Sequence, residues 1–250
     1  MSGPEIKTFE APEVLKYVEK IQAVATPVFP KLASEKTGWA MAWIHLVVWN
    51  SWKSSYFYAD KFPKDDFQHY SEYALLTAKF LIDHHEVEES DLFPVLEKKM
   101  GAESMSQNEA QHHAFLHQLE GIVEYIRSAQ ISPAKFDAAT YRAKVDAILV
   151  PIMQHLSDEL DTLESSKLLE HFSESEIDQI NKAINKASRQ GDNHKMLPFL
   201  LRNLPPNSPF PPAPGFVKNL LGPWVFYWRY RALWKYTMYP MKPILSDSPQ

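Results

Sequence analysis

Apolar residues recur every three to four positions through most of residues 38–169, the period of an α-helix that buries one face. The spacing predicts a first strong helix over about 38–58, with Met41, His45, Val48, Trp49 and Trp52 on one side. Pro63 and the cluster Lys64–Asp66 break it. A second helix is expected over about 66–100, carrying Leu76, Phe80, His84, Glu88, Leu92 and Val95 inward, bending near Pro94 and stopping at Gly101. The third, about 106–130, turns His112, Phe115, Leu116, Leu119, Ile122, Val123 and Ile126 inward and ends before Pro133. The fourth, about 133–169, has Val145, Ile148, Leu149, Ile152, His155, Glu159, Leu160 and Leu163 inward, with a kink expected at Pro151. Connections of a few residues make consecutive helices antiparallel neighbours, so the pattern predicts an all-α, up-and-down four-helix bundle.

The chain divides into three regions: an N-terminal helical segment (1–37), the bundle (38–170), and a helical, Pro- and Trp-rich C-terminal extension (171–250). In the extension, Ser173–Glu174–Ser175–Glu176 is a capping-box pattern opening a helix to about residue 190. Met196–Leu201, a proline-rich joint over 205–214 and an aromatic segment over 216–239 come next. All seven tryptophans lie in two places, Trp39, Trp43, Trp49 and Trp52 on the first helix and Trp224, Trp228 and Trp234 in the tail. Such large side chains seek burial, so the tail is expected to fold back on the bundle, with the first helix as its docking surface.

Composition removes several classes of function. The chain of 250 residues has a formal net charge of −5, which gives no basic footprint for nucleic acid. It has no cysteine, which excludes disulfides, thiolate metal sites and cysteine nucleophiles. The most apolar late stretch, 219–228, is far shorter than the roughly 20 residues a membrane span needs. With no signal-type start, the expected location is the cytoplasm.

The chemistry sits where the inward stripes stop being apolar. His84/Glu88 and His155/Glu159 are spaced i,i+4, so each pair projects two donors from one helix face. His45 and His112 add one imidazole from each of the other two helices. Histidine and carboxylate are ligands suited to iron, zinc or manganese. Two buried glutamates with no Lys or Arg on the same stripes need positive charge at that level, and metal ions supply it. A lone histidine on an apolar face is more often a hydrogen-bonded core residue; four of them with two glutamates change that balance.

The signatures His84–His85–x–x–Glu88–Glu89–x–x–Leu92–Phe93–Pro94 and His155–Leu156–x–x–Glu159–Leu160, with His45 upstream, resemble the hemerythrin / HHE cation-binding family over about residues 38–165. More loosely, the resemblance extends into the tail of fungal members. It implies a four-helix bundle holding two non-haem irons through His45, His84, Glu88, His112, His155 and Glu159, bridged by the two carboxylates and able to meet O₂. Zinc or manganese are the alternative metals.

One departure stands out. The family often supplies HxxxH from the third helix, whereas Leu116 stands four residues after His112. The pair His113/His117 has that spacing but is rotated to the outer face, and its continuation, Glu120 and Glu124, is polar. The expectation is one histidine from this helix, leaving an open or water-filled position on one iron. Glu89, Asp158 and His85 are expected on solvated helix faces, with support of a ligand from behind as the alternative. Trp49 and Trp52 are expected in the core or walling the pocket, and His69, His171 and His194 carry no assignment.

Three functions fit: iron and O₂ binding in storage, sensing or protection; O₂-dependent oxidation of a small molecule; or a helical interaction module with a structural metal and a protein partner that the sequence does not name.

Overall fold

A computed structural model describes residues 7–188, 192–218 and 225–245. Among them there are helices and no strand. Four long helices form the bundle: α2 (Ala33–Tyr58), α3 (Phe67–Val87) continued by α4 (Phe93–Met100), α5 (Ser106–Ile131) and α6 (Ala138–Thr162). Each packs on its sequence neighbour, and α6 closes the ring on α2, which is the up-and-down arrangement the short connections require.

Around this ring lie α1 (Pro12–Val24), α7 (Ser165–His171), α8 (Glu174–Ala187) and α9 (Asn193–Arg202). They explain why α2 is buried on nearly every side although its sequence showed one apolar face. α1 packs across α2 and α6, α7 and α8 cover further sides, and the turn Trp234–Tyr236 takes another. Phe9, just before α1, sits 5.0 Å from the ring of Trp49 and 5.1 Å from Tyr56. α8 starts with the expected capping box at Ser173. Its Glu174 carboxylate in turn accepts from Ala33 N–H at 2.6 Å and Ser34 N–H at 3.2 Å, satisfying the first turn of α2.

The fourth helix is shorter than its apolar pattern suggests. Pro133–Lys135 forms a separate 3₁₀ turn, and α6 starts after Asp137, whose side chain accepts from Thr140 N–H at 2.7 Å. At the other end the helix stops at Thr162, and α7 resumes at Ser165. The chain of α2 passes close by here: a Cβ on Gly38 would stand 3.3 Å from the Leu163 carbonyl. Pro151 lies inside α6 on its exposed side, where the missing N–H costs least.

The tail segment packs on the bundle through only some of its large aromatic side chains. Trp234 and Tyr236 are fully buried. Ser54 Oγ donates to the Tyr236 carbonyl at 2.7 Å, and the Tyr236 ring meets Tyr58 and Tyr70 at 5.5 and 5.6 Å. Asn203 is the second anchor. Its Oδ1 accepts from Tyr73 OH at 2.8 Å and Met238 N–H at 3.1 Å, and its carbonyl accepts from Asn50 Nδ2 at 2.8 Å. Trp228, by contrast, is 50% exposed, and Trp224 lies outside the described residues. No helix among the described residues is long and apolar enough to cross a membrane.

Candidate metal centre

The second bundle helix changes its winding at the site. α3 ends at Val87 and a π turn occupies Glu88–Leu92, with the Glu88 N–H shared between the carbonyls of His84 and His85. Pro94, which lacks an N–H for the Ser90 carbonyl, comes two residues after the turn, so the irregularity foreseen near Pro94 is a π turn shortly before it. The extra residue per turn rotates the next stretch of helix. Inward positions beyond Leu92 are Phe93 and Leu96 rather than Val95, which is half-buried. Such turns occur often at functional sites because they re-aim side chains.

All six predicted positions, His45, His84, Glu88, His112, His155 and Glu159, meet in the bundle interior, and His85 joins them. They fall into two overlapping groups whose ligand atoms lie within 4.8 Å of one another: His45, His84, Glu88 and Glu159, and His85, Glu88, His112 and His155. Glu88 belongs to both. It stands four residues after His84 and three after His85, so both neighbours project toward it. Glu159 belongs to the first group alone.

These atoms fit a cation better than they fit one another. His45 Nε2 lies 3.2 Å from Glu159 Oε2 and His84 Nε2 3.0 Å from Glu88 Oε1, yet neither pair is aligned as a hydrogen bond. His85 Nε2 and both oxygens of Glu88 and Glu159 are also buried without a partner. Each such polar atom costs roughly 1–3 kcal/mol.

The second group gives an independent sign. His112 Nδ1 faces Glu89 Oε1 at 2.7 Å, and His155 Nδ1 faces Gln111 Oε1 at 3.1 Å. The Gln111 amide is itself oriented, because its Nε2 donates to Asp158 Oδ2 at 3.0 Å. Both Nδ1 atoms therefore donate, and a neutral imidazole that donates from Nδ1 carries its lone pair on Nε2. Yet the two Nε2 atoms face each other at 2.9 Å. Two facing lone pairs repel unless a cation takes both, with Glu89 and the Gln111–Asp158 pair holding the rings from behind.

Ionisation agrees with this donor set. Burial lowers the pKa of His84, His85 and His112, and takes His155 down to about 3, which favours the neutral imidazole that binds a cation. Burial, then the charge of Glu159, pushes Glu88 well above the usual carboxylate range. Burial acts the same way on Glu159, but the facing His45 ring outweighs it and brings that carboxyl down to about 2.

The sequence pattern put His85 and Glu89 on solvated faces, with support of a ligand from behind as the alternative. His85 is instead buried, its ring stacked on His112 at a centroid distance of 4.0 Å, and Glu89 is partly exposed and engaged with His112. The signal available for His85 was its i,i+3 relation to Glu88. Gln111 was missed as well, although it lies one turn before Phe115 on the inward side. His113 and His117 are exposed, and Leu116 is only half-buried. His69 pairs with Asp66 at 2.7 Å, and His194 lies against Phe226.

The comparisons with known proteins lead to the same place. Residues 58–165 match the family described as Hemerythrin HHE cation binding domain. A relative from Cryptosporiopsis sp. (strain 8999), named "Dimeric xanthone biosynthesis cluster protein R11", is 28% identical over 173 residues, 64% of this chain. The chain spans 61% of that relative's length. No solved structure matches the chain significantly. The matched stretch contains α3 to α6 and every site residue except His45, which α2 brings in from upstream. Over residues 58–165 the chain is thus similar to the hemerythrin HHE cation-binding domain.

Proposed function

We propose that this protein holds two non-haem iron ions at the level of His45, His84, Glu88, His112, His155 and Glu159, and that it binds O₂ there in storage, sensing or protection. The observation that carries the reading is the pair of donor groups sharing Glu88, with lone pairs that have no other partner. A mixed imidazole and carboxylate set suits iron, with zinc and manganese as competitors. Bound iron would supply the electrons that O₂ chemistry needs.

The protein's own residues do the rest. Glu159 and Glu88 would bring carboxylates to the first group, and a cation bound there would favour the charged form of Glu88 against the burial that raises its pKa. Glu89 and Gln111 hold the rings of His112 and His155 with Nε2 inward. His45, His155 and Glu159 are fully buried, a depth that a diatomic ligand reaches more readily than a bulky one. A second reading, O₂-dependent oxidation of a small molecule, is favoured by the name of the relative, which places that protein in a xanthone biosynthesis cluster. Cytoplasmic residence remains part of the proposal.

The test is the optical spectrum of the iron-loaded full chain in air, after reduction and after re-aeration, with O₂ consumption recorded. Bands that bleach on reduction and return with air, at stoichiometric O₂ uptake, are expected. Sustained O₂ consumption with an aromatic substrate of the xanthone type would favour the second reading. A spectrum indifferent to both reduction and air would contradict both.

A further inference from the structure

The second donor group lacks the histidine that an HxxxH pair on α5 would contribute, because Leu116 stands there and is half-buried. Without His85 it would hold only His112, His155 and the shared Glu88. His85 fills the gap from another helix. Its ring is buried, stacked on His112 at 4.0 Å and edge-on to His155 at 5.1 Å. Its Nε2 is buried with no hydrogen-bond partner and lies within 4.8 Å of the ligand atoms of Glu88, His112 and His155.

The helix geometry allows this double service. Residues 84 and 85 point about 100° apart, so a single α-helix aims them at two places side by side. Glu88 stands one turn after both, and the π turn opens at that residue. We propose that His85 is a metal ligand of the second group, replacing the absent third-helix histidine, so that adjacent residues of α3 serve different ions. The first position is then bound by two imidazoles and two carboxylates, and the second by three imidazoles and the shared carboxylate alone. This inference rests on the two-metal reading above. It also means that Leu116 leaves no ligand missing from the second group.

The test is titration of the metal-free full chain with Co(II), counting ions by equilibrium dialysis and following the ligand-field absorption. His85→Phe keeps a ring against His112 and removes the nitrogen; His85→Gln serves as the second variant should the larger ring disturb folding, which helical circular dichroism reports. His117→Phe, at an exposed position, is the control. Wild type is expected to take two ions. Both His85 variants are expected to keep the first and to bind the second more weakly by at least the roughly 10–100-fold seen on losing an outer-shell partner. Loss of the second ion's ligand-field band is expected in the same variants. His85 variants that titrate like wild type would overturn the proposal and reduce His85 to a packing residue. A wild type that takes a single ion would contradict the two-metal reading instead; His85 would then stand as a ligand if that ion weakens in the variants, and fall if it does not.

Discussion

Glu88→Ala is expected to lose both metal ions, a larger effect than any other single substitution in the site. Glu88 is the one residue common to both donor groups, so its removal takes a carboxylate from each of them. Glu159→Ala touches the first group alone and is expected to weaken one ion. Glu89→Ala removes only the acceptor behind His112, an outer-shell change expected to cost roughly 10–100-fold in affinity for one ion. The folded bundle should survive Glu88→Ala, because the lost carboxyl is buried without a hydrogen-bond partner and contributes no stabilising contact in the metal-free protein. Metal analysis with circular dichroism checks both halves. A Glu88→Ala protein that retains one ion at wild-type affinity, or Glu89→Ala behaving as badly as Glu88→Ala, would mean that Glu88 is not shared.

Truncation after Pro214 is expected to be the most damaging change away from the metals. It deletes Leu233, Trp234, Tyr236 and Met238, all buried against the bundle. At about 1.5–3 kcal/mol each, their burial contributes roughly 6–12 kcal/mol as an upper estimate. That approaches the whole stability of an ordinary domain, about 5–15 kcal/mol. The cut also strips Asn203 Oδ1 of the Met238 N–H and Asp66 of its contacts with Tyr236 and Lys235. The expected result is a chain that aggregates or melts at least about 10 °C lower. Trp228→Ala, at a half-exposed position, should leave the melting temperature nearly unchanged. A truncated chain that stays monomeric at the full melting temperature would show that the tail is an arm for a partner.

The bundle was legible because its helices are long and strongly periodic, and the convergence of the six His and Glu positions because they interrupt apolar stripes at turn spacing. The features that escaped the sequence depend on contacts from afar or on local winding. α2 shows one apolar face on a wheel, yet α1, α7, α8 and the tail bury its other sides. His85 sits about 100° from the stripe through His84, and a single stripe per helix assigns it to solvent; a second donor group beside the first turns that flank inward. The π turn at Glu88–Leu92 shifts the later register by a residue, which a fixed 3.6-residue period does not anticipate. The true start of α6 was readable in Asp137 and Thr140, an N-cap that the apolar run obscured. Trp228 falls under the same composition argument as Trp234 and yet stays half in water, since composition says that a tail docks but not which face it presents.

Two donor groups built on one shared glutamate are expected to hold two ions. The most direct measurement is the iron content of the full chain after anaerobic loading with Fe(II) and removal of loosely bound metal, set against protein quantified by amino-acid analysis. Two irons per chain are expected; saturation at a single iron, or none retained, would mean that the two groups do not hold separate ions.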